Sequence, residues 1–157
     1  MEIVWAEIPE PLGSEELFKK IEKYRAERGV FVQVFDPSVV LSDEHLQWAL
    51  TKAKECFEHG VNLADSLEIE VLLWAAGERQ IKDALVKMGL SDLSKDAVIL
   101  MEKGSDHFLG HMGWTAKKED IVPSKEKLSK LGITKAEIDS VHDPYELIFE
   151  KMATSRL

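Results

Sequence analysis

The chain has 157 residues, 45% hydrophobic and 31% charged, the makeup of one globular domain spanning residues 1–157 rather than of a disordered or metal-dependent chain. Twenty Lys and Arg stand against 29 Asp and Glu, a net charge of −9, so the whole molecule does not attract nucleic acid or anionic membranes, and any polyanion must meet a local basic patch. The single cysteine, Cys56, excludes a disulfide framework and a multi-thiolate zinc site. The longest apolar run, Val71 to Gly77, is far below the ~20 residues of a membrane span, and the acidic opening segment is unlike a signal peptide, so the expected location is the cytoplasm.

In chain order, Glu2 to Ile8 alternates like a strand and is stopped by Pro9, Pro11 and Gly13. Ser14 then reads as a helix cap, with Leu17, Phe18, Ile21 and Tyr24 as the apolar stripe and Gly29 as the stop. Val30 to Phe35 is β-branched and aromatic, a strand closed by Asp36-Pro37. Ser42 caps a helix with a core stripe of Leu46, Ala49, Leu50, Ala53 and Phe57. Asp65 and Glu68 suggest the start of another helix, apolar on most sides through Ala76 and therefore central. Glu78 to Met88 reads as an amphipathic helix and Ala97 to Met101 as a short strand, followed by a weak helix around His107. Thr134 with Glu137 makes a capping box, and Asp143-Pro144-Tyr145-Glu146 opens a terminal helix whose stripe is Tyr145, Ile148, Phe149 and Met152.

About three strands and six or seven helices without regular alternation point to an α+β fold. The expectation is a single domain with a small, mostly antiparallel sheet covered by several helices, ending in a C-terminal helix.

Few residues suggest catalysis. His107 and His111 lie one helical turn apart and could share a metal in a small metal-assisted hydrolase, but no third ligand is marked. Cys56 lies on an apolar helix face, where a thiol behaves as a small hydrophobe. There is no P-loop, dinucleotide fingerprint or Gly-x-Ser-x-Gly elbow. Glu70, flanked by Ile69, Val71, Leu72 and Leu73, requires a partner if it is buried, and a structural hydrogen bond is the expected role. Gly77 to Lys82 gathers Arg79, Gln80 and Lys82 at a helix start. Such a start can hold a phosphate or a single-stranded base, or Arg79 can simply pair with Asp83. Lys117 to Lys130 is a mildly basic stretch expected to be a solvated face. The terminal stripe either closes the core or docks another chain.

The stretches Val32-Gln33-Val34-Phe35-Asp36-Pro37, Gly60-Val61-Asn62-Leu63 and above all Ser66 to Gly89, with the terminal Glu150-Lys151-Met152-Ala153-Thr154-Ser155, resemble the kinase-binding subunit of the KEOPS (EKC) complex, in its archaeal branch related to TPRKB. The resemblance covers most of the chain and is weakest from Gly104 to Lys130. It implies a non-enzymatic, regulatory subunit without cofactor or small-molecule substrate, serving tRNA modification to threonylcarbamoyladenosine. It also implies two partners. The kinase-like ATPase subunit would meet Tyr145, Ile148, Phe149 and Met152, and the single-stranded CCA end of tRNA would meet Asn62, Arg79, Gln80 and Lys82.

Overall fold

The computed structural model describes residues 1–157. The fold is α+β, with a four-stranded antiparallel sheet and a chain that ends in a helix. The chain forms two compact units, residues 1–37 with 89–120 and residues 38–88 with 121–157. Neither is continuous in sequence.

The first unit holds the sheet. Strand β1 (Glu2–Glu7) runs antiparallel to β3 (Asp96–Met101), with Glu2 opposite Met101 and Glu7 opposite Asp96. Strand β2 (Val32–Phe35) pairs with the other side of β3, and the two-residue β4 (Thr115–Ala116) pairs with Ala6 and Glu7, giving the order β2-β3-β1-β4. In β3, Ala97 through Met101 are all buried, as a short uninterrupted apolar strand requires. One core brings together Ala6, Val32, Val34, Ala97, Ile99 and Met101 of the sheet, Leu17, Ile21 and Tyr24 of α1 (Ser14–Arg28), and Phe108, Leu109 and Met112 of α5 (Ser105–Met112).

Helix α1 starts differently from the sequence expectation. Gly13 is the cap residue and Ser14 the first helical residue. The free N–H of Ser14 donates to Asp92 Oδ1 at 2.6 Å, a cap supplied by a distant loop. That backbone donor, together with the Ser14 side chain, holds the Asp92 carboxyl below its ordinary pKa. Phe18, placed on the apolar stripe by spacing, is half exposed.

The second unit is helical. Helix α2 (Asp43–Glu58) is capped as expected by Ser42, whose Oγ accepts the N–H of His45. Its predicted core residue Phe57 is exposed, whereas Cys56 beside it is buried as a free thiol. Helix α3 (Leu67–Ala76) is capped by Ser66 rather than by Asp65. It packs against α2, α4 (Ile81–Met88) and α8 (Leu147–Thr154), and Val71 through Ala76 are buried. This is the central position expected for a helix apolar on nearly every side. Two short helices, α6 (Lys125–Lys130) and α7 (Lys135–Ser140), precede a 3-10 turn, Pro144–Glu146, that leads into α8. The Thr134–Glu137 capping box and the Asp143 cap are both formed.

Two polar side chains, His45 and the half-buried Lys127, bind parts of this unit together. His45 is fully buried. Its Nε2–H donates to the Ala75 carbonyl at 2.8 Å and its Nδ1 accepts the Leu41 N–H at 3.2 Å, so the ring is neutral and ties α2 to α3. Burial, reinforced by the positive charge of Lys127, pushes its pKa down from 6.5 to about 4. Lys127 Nζ donates to the carbonyls of Val40 and Val122 at 2.8 Å, and partial burial lowers its pKa as well.

Candidate functional site

Of the polar residues singled out in the sequence, Asn62, Glu70, Arg79, Gln80 and Lys82 lie in the second unit, on α3 and the segments that flank it. Glu70, in the first turn of α3, has no solvent exposure. Its Oε2 accepts the N–H groups of Leu63 and Ala64 at 2.9 and 2.8 Å, which fixes the loop before α3. Its Oε1 lies 2.8 Å from Arg156 Nη2 without an aligned N–H···O hydrogen bond, so the contact is an ion pair by charge and proximity. The Arg156 guanidinium sits 4.6 Å from the ring centre of Trp74, stacked as well as paired. The expected structural role of Glu70 holds, with a partner, Arg156, distant in sequence.

Asn62 is half-buried in that loop and donates its side-chain N–H to the Ala64 carbonyl at 2.8 Å. Arg79 and Gln80 are exposed in the turn between α3 and α4, and Lys82 is exposed in the first turn of α4. Arg79 donates from Nη1 to the Ser155 carbonyl at 3.3 Å rather than pairing with Asp83. Arg79, Gln80 and Lys82 therefore form one local group, while Asn62 connects to it through Glu70, Arg156 and Ser155. Exposed Val61 and Leu63 flank Asn62, and Ile81, Leu85 and Val86 leave the outer side of α4 apolar.

The turn between the helices is set by Gly77, in the left-handed region at φ +64°. A side chain there would be strained, and its Cβ would come within 3.1 Å of Lys151 Cγ, which lies across the glycine. Beside it, Glu78 pairs with Lys87.

The terminal stripe divides in two. Ile148 and Met152 are fully buried, whereas Tyr145 and Phe149 are half-buried. Phe149 meets Trp48 of α2 edge-on at 5.9 Å between centroids, and Lys52 lies 5.3 Å from the centre of the Trp48 ring. The solvent-facing part of this stripe is thus Tyr145 and Phe149, with Trp48 and Lys52 beside Phe149, and Ile148 and Met152 lie beneath it in the interior. Sequence reasoning missed Trp48, Lys52 and Arg156. Trp48 and Lys52 have i,i+4 spacing on α2 at the border of its buried stripe, a readable signal. Arg156 could be inferred only as the cation that a buried Glu70 demands.

The two histidines considered for a metal, His107 and His111, belong to the first unit. His107 Nε2 faces Arg28 Nη2 at 2.6 Å and its Nδ1 faces Tyr24 Oη at 2.8 Å. Arginine only donates, so Nε2 accepts and Nδ1–H donates to the tyrosine oxygen. Both ring nitrogens are committed, one of them to a cation, and no group of three or more His, Cys, Asp or Glu is placed to hold a metal. His111 stacks at a tilt against Tyr24, 5.0 Å between ring centres. In the basic stretch, Lys117 pairs with Asp96 at 3.3 Å and Lys127 binds backbone carbonyls, so two of its cations have internal roles instead of forming a solvated face.

The family model for kinase binding protein CGI-121 matches residues 14–156. The chain belongs to that family of kinase-binding proteins. No curated protein matches it significantly. No helix is long and apolar enough to cross a membrane.

Proposed function

We propose that this chain is the kinase-binding, non-catalytic subunit of a KEOPS-type assembly in the cytoplasm, where threonylcarbamoyladenosine is installed on tRNA. It docks on the kinase-like ATPase subunit through Tyr145 and Phe149, with Trp48 and Lys52 beside them and Ile148 and Met152 fixing the helix from below. It offers Asn62, Arg79, Gln80 and Lys82 to the single-stranded 3′ CCA end of tRNA. Membership of the kinase-binding family carries this reading. The half-buried Phe149–Trp48 pair supports the docking part, since aromatic side chains are enriched in the cores of protein interfaces. Exposed cations next to the uncovered apolar side of α4 support the RNA part, because single-stranded bases present both charge and an apolar face.

The test is gel filtration with the kinase-like subunit of the same organism. Deleting the terminal helix would remove the buried Ile148 and Met152 and disrupt the core, so surface variants are the proper probe. Phe149→Asp and Lys52→Glu should abolish or weaken co-elution while the melting temperature stays near that of the wild type. Undiminished co-elution of the folded Phe149→Asp variant would remove α8 from the interface. In parallel, Arg79→Ala should weaken tRNA binding and leave kinase-subunit binding intact, and an equal tRNA affinity would remove Arg79 from the RNA site.

A further inference from the structure

Three contacts converge on the last residues of the chain: Glu70 and Trp74 on Arg156, and Arg79 on Ser155. Glu70 uses one carboxylate oxygen to hold the backbone of Leu63 and Ala64 and points the other at Arg156. Arg156 has a side chain that is 12% exposed, rests on Trp74, and has neither Nε nor Nη2 in an aligned hydrogen bond. Its neighbour Ser155 supplies the carbonyl that Arg79 donates to. The guanidinium is therefore held by charge and stacking alone, and its position is set by Glu70 and Trp74.

We propose that Arg156 is a positioning residue that holds the 61–65 loop and Arg79 in one arrangement, and so pre-forms the surface assigned above to the tRNA 3′ end. The ligand assignment rests on that functional reading, whereas the mechanical claim rests on the contacts. Without Arg156, Glu70 is a fully buried carboxylate with no counter-charge, a state that proteins relieve by moving the group towards water. If Glu70 moves, Leu63 and Ala64 lose the acceptor for their N–H groups. The loop bearing Asn62 then opens, and residues 155–157 lose the anchor that keeps the Ser155 carbonyl in front of Arg79. Helix α8 stays in place, because Ile148 and Met152 are fully buried and do not depend on the ion pair. Loss of Arg156 thus loosens the RNA-facing part and spares the kinase-facing part.

The experiment uses the full chain with Arg156→Met, which keeps an apolar stem on Trp74 and removes the charge, and the double variant Glu70→Gln with Arg156→Met. Three quantities are read: amide hydrogen exchange at Leu63 and Ala64, affinity for tRNA carrying an intact CCA end, and affinity for the kinase-like subunit. Arg156→Met should speed exchange at the two amides by about ten-fold or more, as expected of a local opening. It should also lower tRNA affinity about five-fold, as for loss of a pre-formed site, with kinase-subunit affinity within about two-fold. The double variant should regain slow exchange, because the side-chain amide that replaces the carboxylate still accepts both N–H groups and carries no charge to neutralise. A merely structural ion pair would lower the melting temperature but not give this split between the two partners. Wild-type exchange at Leu63 and Ala64 in folded Arg156→Met overturns the proposal. Unchanged tRNA affinity in Arg156→Met, where Arg79→Ala loses affinity, overturns it too. A wild-type chain with no affinity for tRNA defeats the functional reading instead, and the exchange rates still decide the mechanical claim.

Discussion

Acidification should destabilise this protein through His45. The ring is fully buried and neutral, with both nitrogens in hydrogen bonds, and its pKa is pushed down from 6.5 to about 4. In the unfolded chain the same ring takes up a proton below about pH 6.5. Between pH 6.5 and 4 the unfolded state therefore binds more protons than the folded one, and stability falls as the pH falls. The contribution is fully present above pH 6.5, and linkage puts the loss at about 2 kcal/mol at pH 5 and about 3 kcal/mol at pH 4. For a chain of this size, a loss of about 2 kcal/mol lowers the melting temperature by about 4–8 °C. The assay is urea unfolding of wild type and His45→Gln at pH 7.5, 6, 5 and 4.5. The variant starts less stable, because it disturbs the bonds to Ala75 and Leu41, but it has no imidazole to titrate. The gap between the two proteins should therefore shrink by about 2 kcal/mol from pH 7.5 to pH 5. Parallel curves with a constant gap would show that His45 does not titrate on unfolding, and would refute the reasoning.

The divided terminal stripe predicts opposite behaviours from neighbouring residues. Ile148→Ala should cost about 2–4 kcal/mol of stability in denaturant titration, as for a buried aliphatic side chain. Phe149→Ala, at a half-buried position, should cost less stability and instead weaken kinase-subunit binding by calorimetry. If both variants lose stability equally, the stripe is core alone. The Arg28–His107–Tyr24 arrangement predicts that zinc or manganese does not raise the melting temperature. A rise that His107→Ala abolishes would restore the metal reading.

Element type was legible wherever burial follows a period. The apolar run Ala97 to Met101 of β3 and the nearly all-round apolar α3 are strand and central helix, and the Ser42, Thr134 and Asp143 caps stand where the residue types placed them. The misses have physical causes. Strand β4 has two residues, too few to show alternation, and α6 buries only Leu128, so its lysines read as a solvated face. The cap of α1 comes from Asp92, which no local pattern in residues 13–17 reveals. Phe18 and Phe57 share the helical spacing of buried neighbours but sit at the border of the stripe, where a three- or four-residue period does not separate rim from core. For the site, the segment 77–82 could be picked out because its charges follow an apolar helix. Arg156 could not, because its role exists only once Glu70, Trp74 and the chain end are brought together.

The charge balance limits how this chain can hold RNA. With a net charge of −9, long-range steering opposes a polyanion, so affinity must come from short-range contacts. Of the four proposed contact residues only Arg79 and Lys82 are cationic. Each phosphate neutralised on a single strand contributes a slope of about −0.7 to log K against log salt, so the isolated chain should show a slope no steeper than about −1.4. Raising salt from about 50 to 200 mM should then weaken binding only about seven-fold. Arg79→Ala should flatten the slope by about 0.7, whereas Arg156→Met should lower the affinity without changing the slope, because a buried ion-paired guanidinium releases no counterion from the RNA. A slope of about −4 or steeper for the isolated chain would require many more phosphate contacts than this surface offers. The RNA would then be bound elsewhere on the protein.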